Sequence, residues 1–142
     1  MMSVDNKPDW WAKEALKLSL QNDILKKIID NDKKDRLLRV FVCSPLRGDL
    51  EKNIALAKRL CQKVVQKGHA SFAPHAFYTQ FLDDNIEEER NIGIHAGMAF
   101  LKVCDELWVY DKKGISSGMQ LEIDFCNKNG IKVIMNPWGN EI

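Results

Sequence analysis

Short apolar segments alternate with longer segments of helical periodicity, and this alternation restricts the possible folds more than any other feature. The apolar segments lie at 37–43, 69–73, 106–110 and 131–135, and the helical ones at 49–67, 86–103 and 117–129. Neighbouring parallel strands need a crossover connection, which is usually a helix. The order β-α-β-α-β-α-β therefore predicts one α/β domain of three layers with a mostly parallel sheet of four to five strands.

The first 36 residues precede this alternation. Apolar residues recur at helical spacing from Pro8 to about Lys34, which predicts an added amphipathic helix. We expect an N-terminal helical extension at 1–36 and the α/β domain at 37–142. The apolar stripe, with Trp10 and Trp11, either folds back over the sheet, which we favour, or forms a contact surface. Because helices that flank such sheets often pair subunits, we predict a homodimer or a larger homo-oligomer.

Composition limits the classes of partner. The 142 residues carry a net charge of +1, whereas a nucleic-acid-binding protein usually has a strong basic excess. The four cysteines lack metal-ligand spacing and lie in apolar patterns, which favours free thiols in a reducing compartment. No segment has the length or apolar character of a membrane span. We expect a cytoplasmic protein with no nucleic-acid or membrane partner, no metal and no cofactor.

The segment that follows the first predicted strand has the residues of an anion-binding loop. Ser44 and Pro45 end the strand, Arg47 and Gly48 follow, and a helix begins after Asp49. A strand that turns into a helix N-terminus presents backbone N–H groups to an anion, and an arginine can bind a phosphate with two parallel hydrogen bonds. The alternative is an ordinary βα turn capped by Asp49, with Arg47 in solvent.

Two later loops carry further candidate ligand-binding residues, because ligands of parallel sheets bind beyond the carboxyl ends of the strands. Segment 74–84 is predicted to be a loop. In it, His75 either lines a site or is a structural histidine held by hydrogen bonds, and Tyr78 is the candidate that stacks on a base. We expect its phenylalanines at 77 and 81 to pack beneath it, and its acids at 83 and 84 to cap the next helix.

The third loop ends in Ser116, Ser117 and Gly118. The serines are good N-cap residues, whereas a glycine in the first helical turn is easier to explain if a ligand approaches the backbone there. Asp111 begins the same loop. Glu122 lies one turn inside the helix, beside a face expected to bury Leu121. It is a candidate nucleophile or base, although an exposed glutamate is the simpler alternative.

These motifs resemble the nucleoside 2-deoxyribosyltransferase-like superfamily, especially its small, often phage-encoded branch, and the similarity spans about 38–135. Segment 41–48 is similar to the first strand and glycine-containing loop that hold sugar and phosphate. Segment 116–122 is similar to the second motif, in which Ser116 helps to bind a 5′-phosphate and Glu122 attacks the anomeric carbon. The resemblance implies a flavodoxin/Rossmann-like fold and a nucleoside or nucleotide ligand.

The resemblance also implies a second acid on the helix before the third strand, and the matching position here is Gly97. We therefore consider three functions. The first is a deoxyribosyltransferase or nucleotide N-glycosidase with Glu122 as nucleophile. The second is a binding protein without turnover that senses or sequesters a nucleotide-derived signal, for example a phage anti-defence protein. The third is a structural subunit that has no ligand.

Overall fold

The structure is a computed structural model that describes residues 10–142, with side chains from Lys17 onward except those of Leu18 and Ser19. The helices are α1 (Trp10–Lys33), α2 (Leu50–Gln66), α3 (Pro74–Phe77), α4 (Glu87–Leu101) and α5 (Ser117–Asn129), and a short 3-10 helix (Tyr78–Gln80) follows α3. The strands are β1 (Arg39–Cys43), β2 (Ala70–Phe72), β3 (Glu106–Val109) and β4 (Lys132–Met135).

The four strands form one parallel sheet in the order β2-β1-β3-β4. β1 lies between β2 and β3, and its Phe41 is paired with Phe72 on one side and with Leu107 on the other. This confirms the predicted α/β fold of the flavodoxin-like type. The strand order reverses between β1 and β3, which creates the position at which ligands of open α/β sheets bind.

Both faces of the sheet are covered, as the nearly continuous apolar character of β1 predicts. Val40 and Val42 pack with α2 and Trp138 on one face. Phe41 and Cys43 pack on the other face with Leu101 of α4 and with two buried side chains of α5, Met119 and Cys126. Because the strands are parallel, the segments that follow β1, β2 and β3 all begin at the carboxyl edge of the sheet.

The segment 74–84 is not the loop that the sequence predicted. Pro74 occupies the first turn of α3, where its missing N–H costs no hydrogen bond. The carbonyl of His75 accepts a hydrogen bond from Thr79 Oγ1 at 2.6 Å. The prediction that Phe77 and Phe81 pack beneath the loop is wrong, since both are exposed, by 46% and 60%.

The described part of α1 packs on α2 only near its own C-terminus. Asn31 Nδ2 donates to the carbonyl of Gly68 at 2.9 Å. Leu20, Leu25 and Ile29 are exposed, so this part of the helix does not fold back over the sheet. The side chains of Trp10 and Trp11 lie outside the described residues.

Candidate functional site

A cleft opens at the carboxyl edge of the sheet, between the loop after β1, the α3 turn, and helices α4 and α5. Its empty space, including the open mouth and the adjoining solvent, is about 610 Å³. The polar and charged side chains of the cleft are His75, Tyr78, Thr79, Asp84, Glu89, Arg90 and Glu122. Apolar residues such as Leu46, Leu82, Ile94 and Met98 form much of the remaining wall.

Glu122 projects into the cleft from α5 and is partly buried. Burial raises the pKa of its carboxyl to about 8, and a hydrogen bond with the Cys43 thiol opposes this shift. Burial also raises the pKa of that thiol, and the charge of Glu122 raises it further. Glu122 therefore retains its proton at neutral pH. Leu121 was expected to be buried on this helix, but it is 49% exposed.

His75 enters the cleft from α3. Burial lowers the pKa of its imidazole to about 4, while the charge of Asp84 and a hydrogen bond with the Ser44 backbone oppose this shift. The ring is therefore neutral at physiological pH, with a carboxylate nearby that favours its protonated form. Tyr78, one residue beyond α3, lines the same cleft.

Asp84 is a cleft residue rather than the helix cap that the sequence predicted. Its side chain is only 14% exposed and lies 3.8 Å from Arg47 Nε. The N-cap position of α4 is occupied by Ile86, and the Oδ1 atom of Asp83 accepts from the backbone N–H of Asn85 at 2.9 Å. The two acids therefore have different roles, since Asp83 stabilises the local turn and Asp84 faces the cleft.

The loop after β1 is held by a buried asparagine. Asn53 is 4% exposed, and its Nδ2 atom donates to the carbonyls of Leu46 and Arg47 at 3.0 and 3.1 Å. Lys113 Nζ, from the loop after β3, donates to Asn53 Oδ1 at 3.1 Å. Asn53 therefore connects the two loops that the sequence assigned to sugar and phosphate binding.

The other predicted residues of this loop differ in exposure. Ser44 and Pro45 are buried, and within the described residues Ser44 Oγ has no hydrogen-bond partner. Gly48 is exposed with φ +106°, a conformation that L side chains rarely adopt. Arg47 is 63% exposed at the rim, next to Asp84.

The N-terminus of α5 borders the cleft. Ser116 is the N-cap, and its Oγ atom accepts from the backbone N–H of Met119 at 3.3 Å. The next two residues, Ser117 and Gly118, contribute first-turn N–H groups, which lack intrahelical partners. A Cβ atom added at Gly118 would meet nothing within 4 Å. Packing within the described residues therefore does not explain this glycine, whereas a ligand close to the backbone would.

Gly97 is explained by packing. It is buried in α4, and an added Cβ atom would lie 3.2 Å from Pro74 Cβ. The α3 turn approaches α4 so closely that a carboxylate side chain at position 97 would require Pro74 to move.

Asp111 lies outside the cleft and connects the loops after β3 and β4. Its carboxylate accepts a hydrogen bond from the side-chain amide of Asn136, and its backbone N–H donates to Asn136 Oδ1 at 3.0 Å. The positive φ of Asn136 (48°) belongs to this arrangement. Asp111 thus supports the loops from behind.

The cleft brings together four of the residues that the sequence nominated, namely His75, Tyr78, Gly118 and Glu122. The remaining nominated residues are at the rim, beneath the loops or behind them. Sequence reasoning missed Asp84, Glu89, Arg90 and Asn53. The first three resemble capping and first-turn residues of an ordinary helix, so the sequence carried no signal for their role. Residues 10–142 contain no cluster of three or more side chains suited to a metal ion.

Comparison of the sequence with family models gives a match over residues 38–136 to a domain of unknown function, DUF7768. This chain belongs to the DUF7768 family. The matched region begins at β1 and contains the whole sheet and the cleft, while α1 precedes it. A search among curated proteins gave no match.

Solved structures similar to this DUF7768 protein share its fold. One is a 2-deoxyribosyltransferase from Bacillus psychrosaccharolyticus, with a TM-score of 0.51 and 17% identity over 68% of this chain and 70% of that one. Another is a conserved protein from Enterococcus faecalis V583, with a TM-score of 0.53 and 17% identity over 70% of this chain and 62% of that one. The fold relationship to a 2-deoxyribosyltransferase agrees with the resemblance seen in the motifs.

None of the helices in residues 10–142 has the length and apolar character needed to cross a membrane.

Proposed function

We propose that this protein binds a nucleoside or nucleotide in the cleft and cleaves its N-glycosidic bond, with Glu122 as the nucleophile. One observation carries the proposal, namely that a partly buried carboxyl group lies in the cleft where the strand order reverses, one turn from a glycine whose backbone is open to a ligand. The fold shared with a 2-deoxyribosyltransferase supports the same chemistry.

Binding of the sugar phosphate is assigned to the rim of the cleft. The first turn of α5 offers N–H groups and the positive end of the helix dipole to an anion. Arg47 lies at the rim beside Asp84, and Arg90 lines the cleft. Because these groups surround the mouth and Glu122 lies deeper, a 5′-phosphate would remain near solvent while C1′ reaches the carboxylate.

The proposed reaction forms a covalent intermediate. As the bond between C1′ and the base nitrogen breaks, its electron pair leaves with the base and positive charge develops on the sugar. The Glu122 carboxylate stabilises that charge and forms a bond to C1′. Attack by water on C1′ then gives hydrolysis, whereas attack by another nucleobase gives transfer. Glu122 must lose its proton before the first step.

Release of free base from deoxynucleoside monophosphates tests this function. The purified protein is incubated with each monophosphate and with the matching nucleoside, and the base is quantified by chromatography. We expect Glu122→Gln to abolish release while the variant remains folded by circular dichroism. An unchanged rate in that variant would remove Glu122 from the mechanism.

A nucleotide-binding protein without turnover is the second candidate, and the charge state of Glu122 specifically favours it. The raised pKa of the carboxyl group keeps it protonated at neutral pH, and a protonated carboxyl is not a nucleophile. Such a protein would sense or sequester a nucleotide-derived signal, as a phage anti-defence protein would. A ligand-induced thermal shift with no release of base at any pH would favour this function.

Self-association accompanies the proposal as a further prediction. Apolar side chains are exposed on the described part of α1, at Leu20, Leu25 and Ile29, and on α4, at Ile92 and Phe100. Exposed apolar side chains grouped on a surface are typical of protein interfaces. We expect a homodimer or larger homo-oligomer, which sedimentation velocity would detect.

A further inference from the structure

Cleavage of an N-glycosidic bond needs assistance at the base as well as at the sugar. The departing base carries the electron pair of the broken bond, and a positioned acid that protonates it contributes about 10²- to 10⁴-fold in rate. Glu122, as the nucleophile, cannot be that acid in the same step. A second group that exchanges protons must therefore face the same cleft.

We infer that His75, which shares the cleft with Asp84 and Glu122, protonates the leaving nucleobase. This inference rests on the proposed function and assigns the second half of its chemistry. His75 and Glu122 line one cleft from opposite elements, α3 and α5. The other histidines are placed elsewhere: His95 is exposed and bonds the carbonyl of Asn91, and His69 Nδ1 accepts from the backbone N–H of Leu38.

The backbone around His75 keeps the imidazole at the cleft. Pro74 sits against Gly97 of α4, and an added Cβ atom at position 97 would lie only 3.2 Å away. The His75 carbonyl accepts from Thr79 Oγ1, so the turn is held on both sides. The absence of a side chain at Gly97 thus allows α3 to approach α4 and to place His75 in the cleft wall.

The charges around His75 favour a transient imidazolium. Asp84 lies close enough for its charge to favour the protonated ring, and its carboxylate is mostly buried. From α4, Glu89 and Arg90 face the same cleft with opposite charges. Arg47 lies 3.8 Å from Asp84 at the rim and reduces the influence of that carboxylate on the ring.

Around Glu122, the neighbouring titratable groups are thiols on the side away from the cleft. Cys43 of β1 shares a hydrogen bond with Glu122, and the charge of Glu122 raises the pKa of the Cys126 thiol. Burial raises the pKa of Cys126 to about 11, so neither thiol supplies a proton-accepting anion at neutral pH. The proton that reaches the departing base is therefore assigned to His75 and not to a thiol.

The proton count balances through one turnover. The cleft holds one proton on Glu122 and none on His75. A minor form with the same proton count carries the Glu122 carboxylate and the His75 imidazolium together. The carboxylate then bonds to C1′ as the C1′–N bond breaks, and the imidazolium transfers its proton to the base. Water next attacks C1′, the bond to Glu122 breaks with its electron pair returning to the carboxylate, and the proton of water passes to His75.

This arrangement predicts a distinctive dependence on pH. The reactive form has Glu122 ionised and His75 protonated, which reverses the two pKa values of about 8 and about 4. It is therefore a minor form, and its population is level between those values. The acid-assisted part of the wild-type kcat/KM should accordingly be level across that range and fall above pH 8. In His75→Gln only Glu122 titrates, so kcat/KM should instead rise with pH and become level above 8. A purely structural role of His75 would lower the curve without inverting its alkaline limb.

The experiment measures base release from deoxyguanosine monophosphate and from its N7-methylated form, at pH 5 to 9.5. The methylated base departs as a neutral molecule and needs no proton. We expect His75→Gln to lose about 10- to 10³-fold on the unmethylated substrate at pH 5 and at most about 10-fold at pH 7. On the methylated substrate we expect less than about 10-fold loss at either pH. Glu122→Gln should lose activity on both, and His95→Gln, at an exposed histidine outside the cleft, on neither.

The outcomes separate the two proposals. If the wild-type protein releases no base from either substrate, cleavage itself is refuted, and the role of His75 with it. If the wild type is active but His75→Gln loses equally on both substrates, or retains the wild-type alkaline limb, only the role of His75 is refuted. Rates are corrected for spontaneous loss of the methylated base, and thermal melting shows whether each variant is folded.

Discussion

The charge state of Glu122 has a consequence for stability that needs no ligand. The folded protein raises the pKa of this carboxyl from 4.5 to about 8 through burial. Between those values the folded state holds a proton that the unfolded chain releases. The stability linked to this proton is complete below pH 4.5 and is lost as the pH rises through 8. Glu122→Gln, which is neutral at every pH, should remove this dependence.

The size of the effect on stability follows from this shift in the pKa of Glu122. Each pH unit over which one proton separates the two states changes the free energy of unfolding by about 1.4 kcal/mol. From pH 6.5 to 8.5 the folded carboxyl passes through its own titration, which limits the loss to about 2 kcal/mol. His75 acts in the opposite direction, because its lowered pKa reduces the free energy of unfolding as the pH falls through 6.5 toward 4. Between pH 6.5 and 8.5 it therefore offsets the loss by only about a few tenths of a kcal/mol.

Urea denaturation at pH 6.5 and 8.5 measures this directly. The wild type should lose stability on going to the higher pH. The Gln variant should be the more stable protein at both values, and its advantage should grow by about 2 kcal/mol. His75 is present in both proteins, so its contribution cancels in this difference. Parallel pH dependences for the two proteins would refute the placement of Glu122 in a desolvating environment.

Three further predictions concern neighbouring residues. Gly118→Ala should stabilise the free protein by up to about 1 kcal/mol and weaken nucleotide binding measured by calorimetry. Gly97→Ala should lower the free energy of unfolding by about 1–3 kcal/mol, because the added Cβ atom would press against Pro74; the opposite pattern would contradict both assignments. Arg47→Ala should weaken binding of a monophosphate about tenfold, or about 1.4 kcal/mol, without affecting the nucleoside, and equal losses would exclude phosphate recognition. Asn53→Ala should cost about 1–3 kcal/mol in urea denaturation, and no change would show that its two carbonyl contacts do not hold the loop.

The sheet and its two covered faces could be predicted from the sequence because burial leaves a local signature. In β1, the run Val40 to Cys43 is apolar on both sides of the strand, and the structure buries all four residues. The loop after β2 could not be predicted in the same way. A proline after a strand was interpreted as a terminator, but Pro74 also suits a first helical turn, and only the proximity of Gly97 selects that conformation.

The residues of the cleft show that local sequence patterns do not predict which side chains face a site formed by distant segments. Asp84 and Asp83 are adjacent acids before a helix, and either could cap it. The fold assigns one to the local turn and the other to the cleft, beside Arg47 from a distant segment. The sequence predicts a buried Leu121 on α5, but this residue is 49% exposed. Glu122 is partly buried, in agreement with a position beside the inward face and not with the simpler alternative of an exposed glutamate. Adjacent positions on a helix differ by about 100° in direction, so the periodicity of one segment does not determine which of the two faces inward.

The chemistry proposed for the cleft depends on how weakly the protein's hydrogen bonds stabilise the charged form of Glu122. A carboxylate that accepts several N–H groups is stable and unreactive, and its pKa is low. Here the hydrogen bond that stabilises the charged form comes from the Cys43 thiol, which is a weak donor. The charged form is consequently poorly stabilised until positive charge develops beside it. A sugar that becomes cationic at C1′, together with an imidazolium at His75, supplies that charge during the reaction. The same burial that keeps Glu122 protonated would thus make its ionised form a strong nucleophile toward a bound nucleotide.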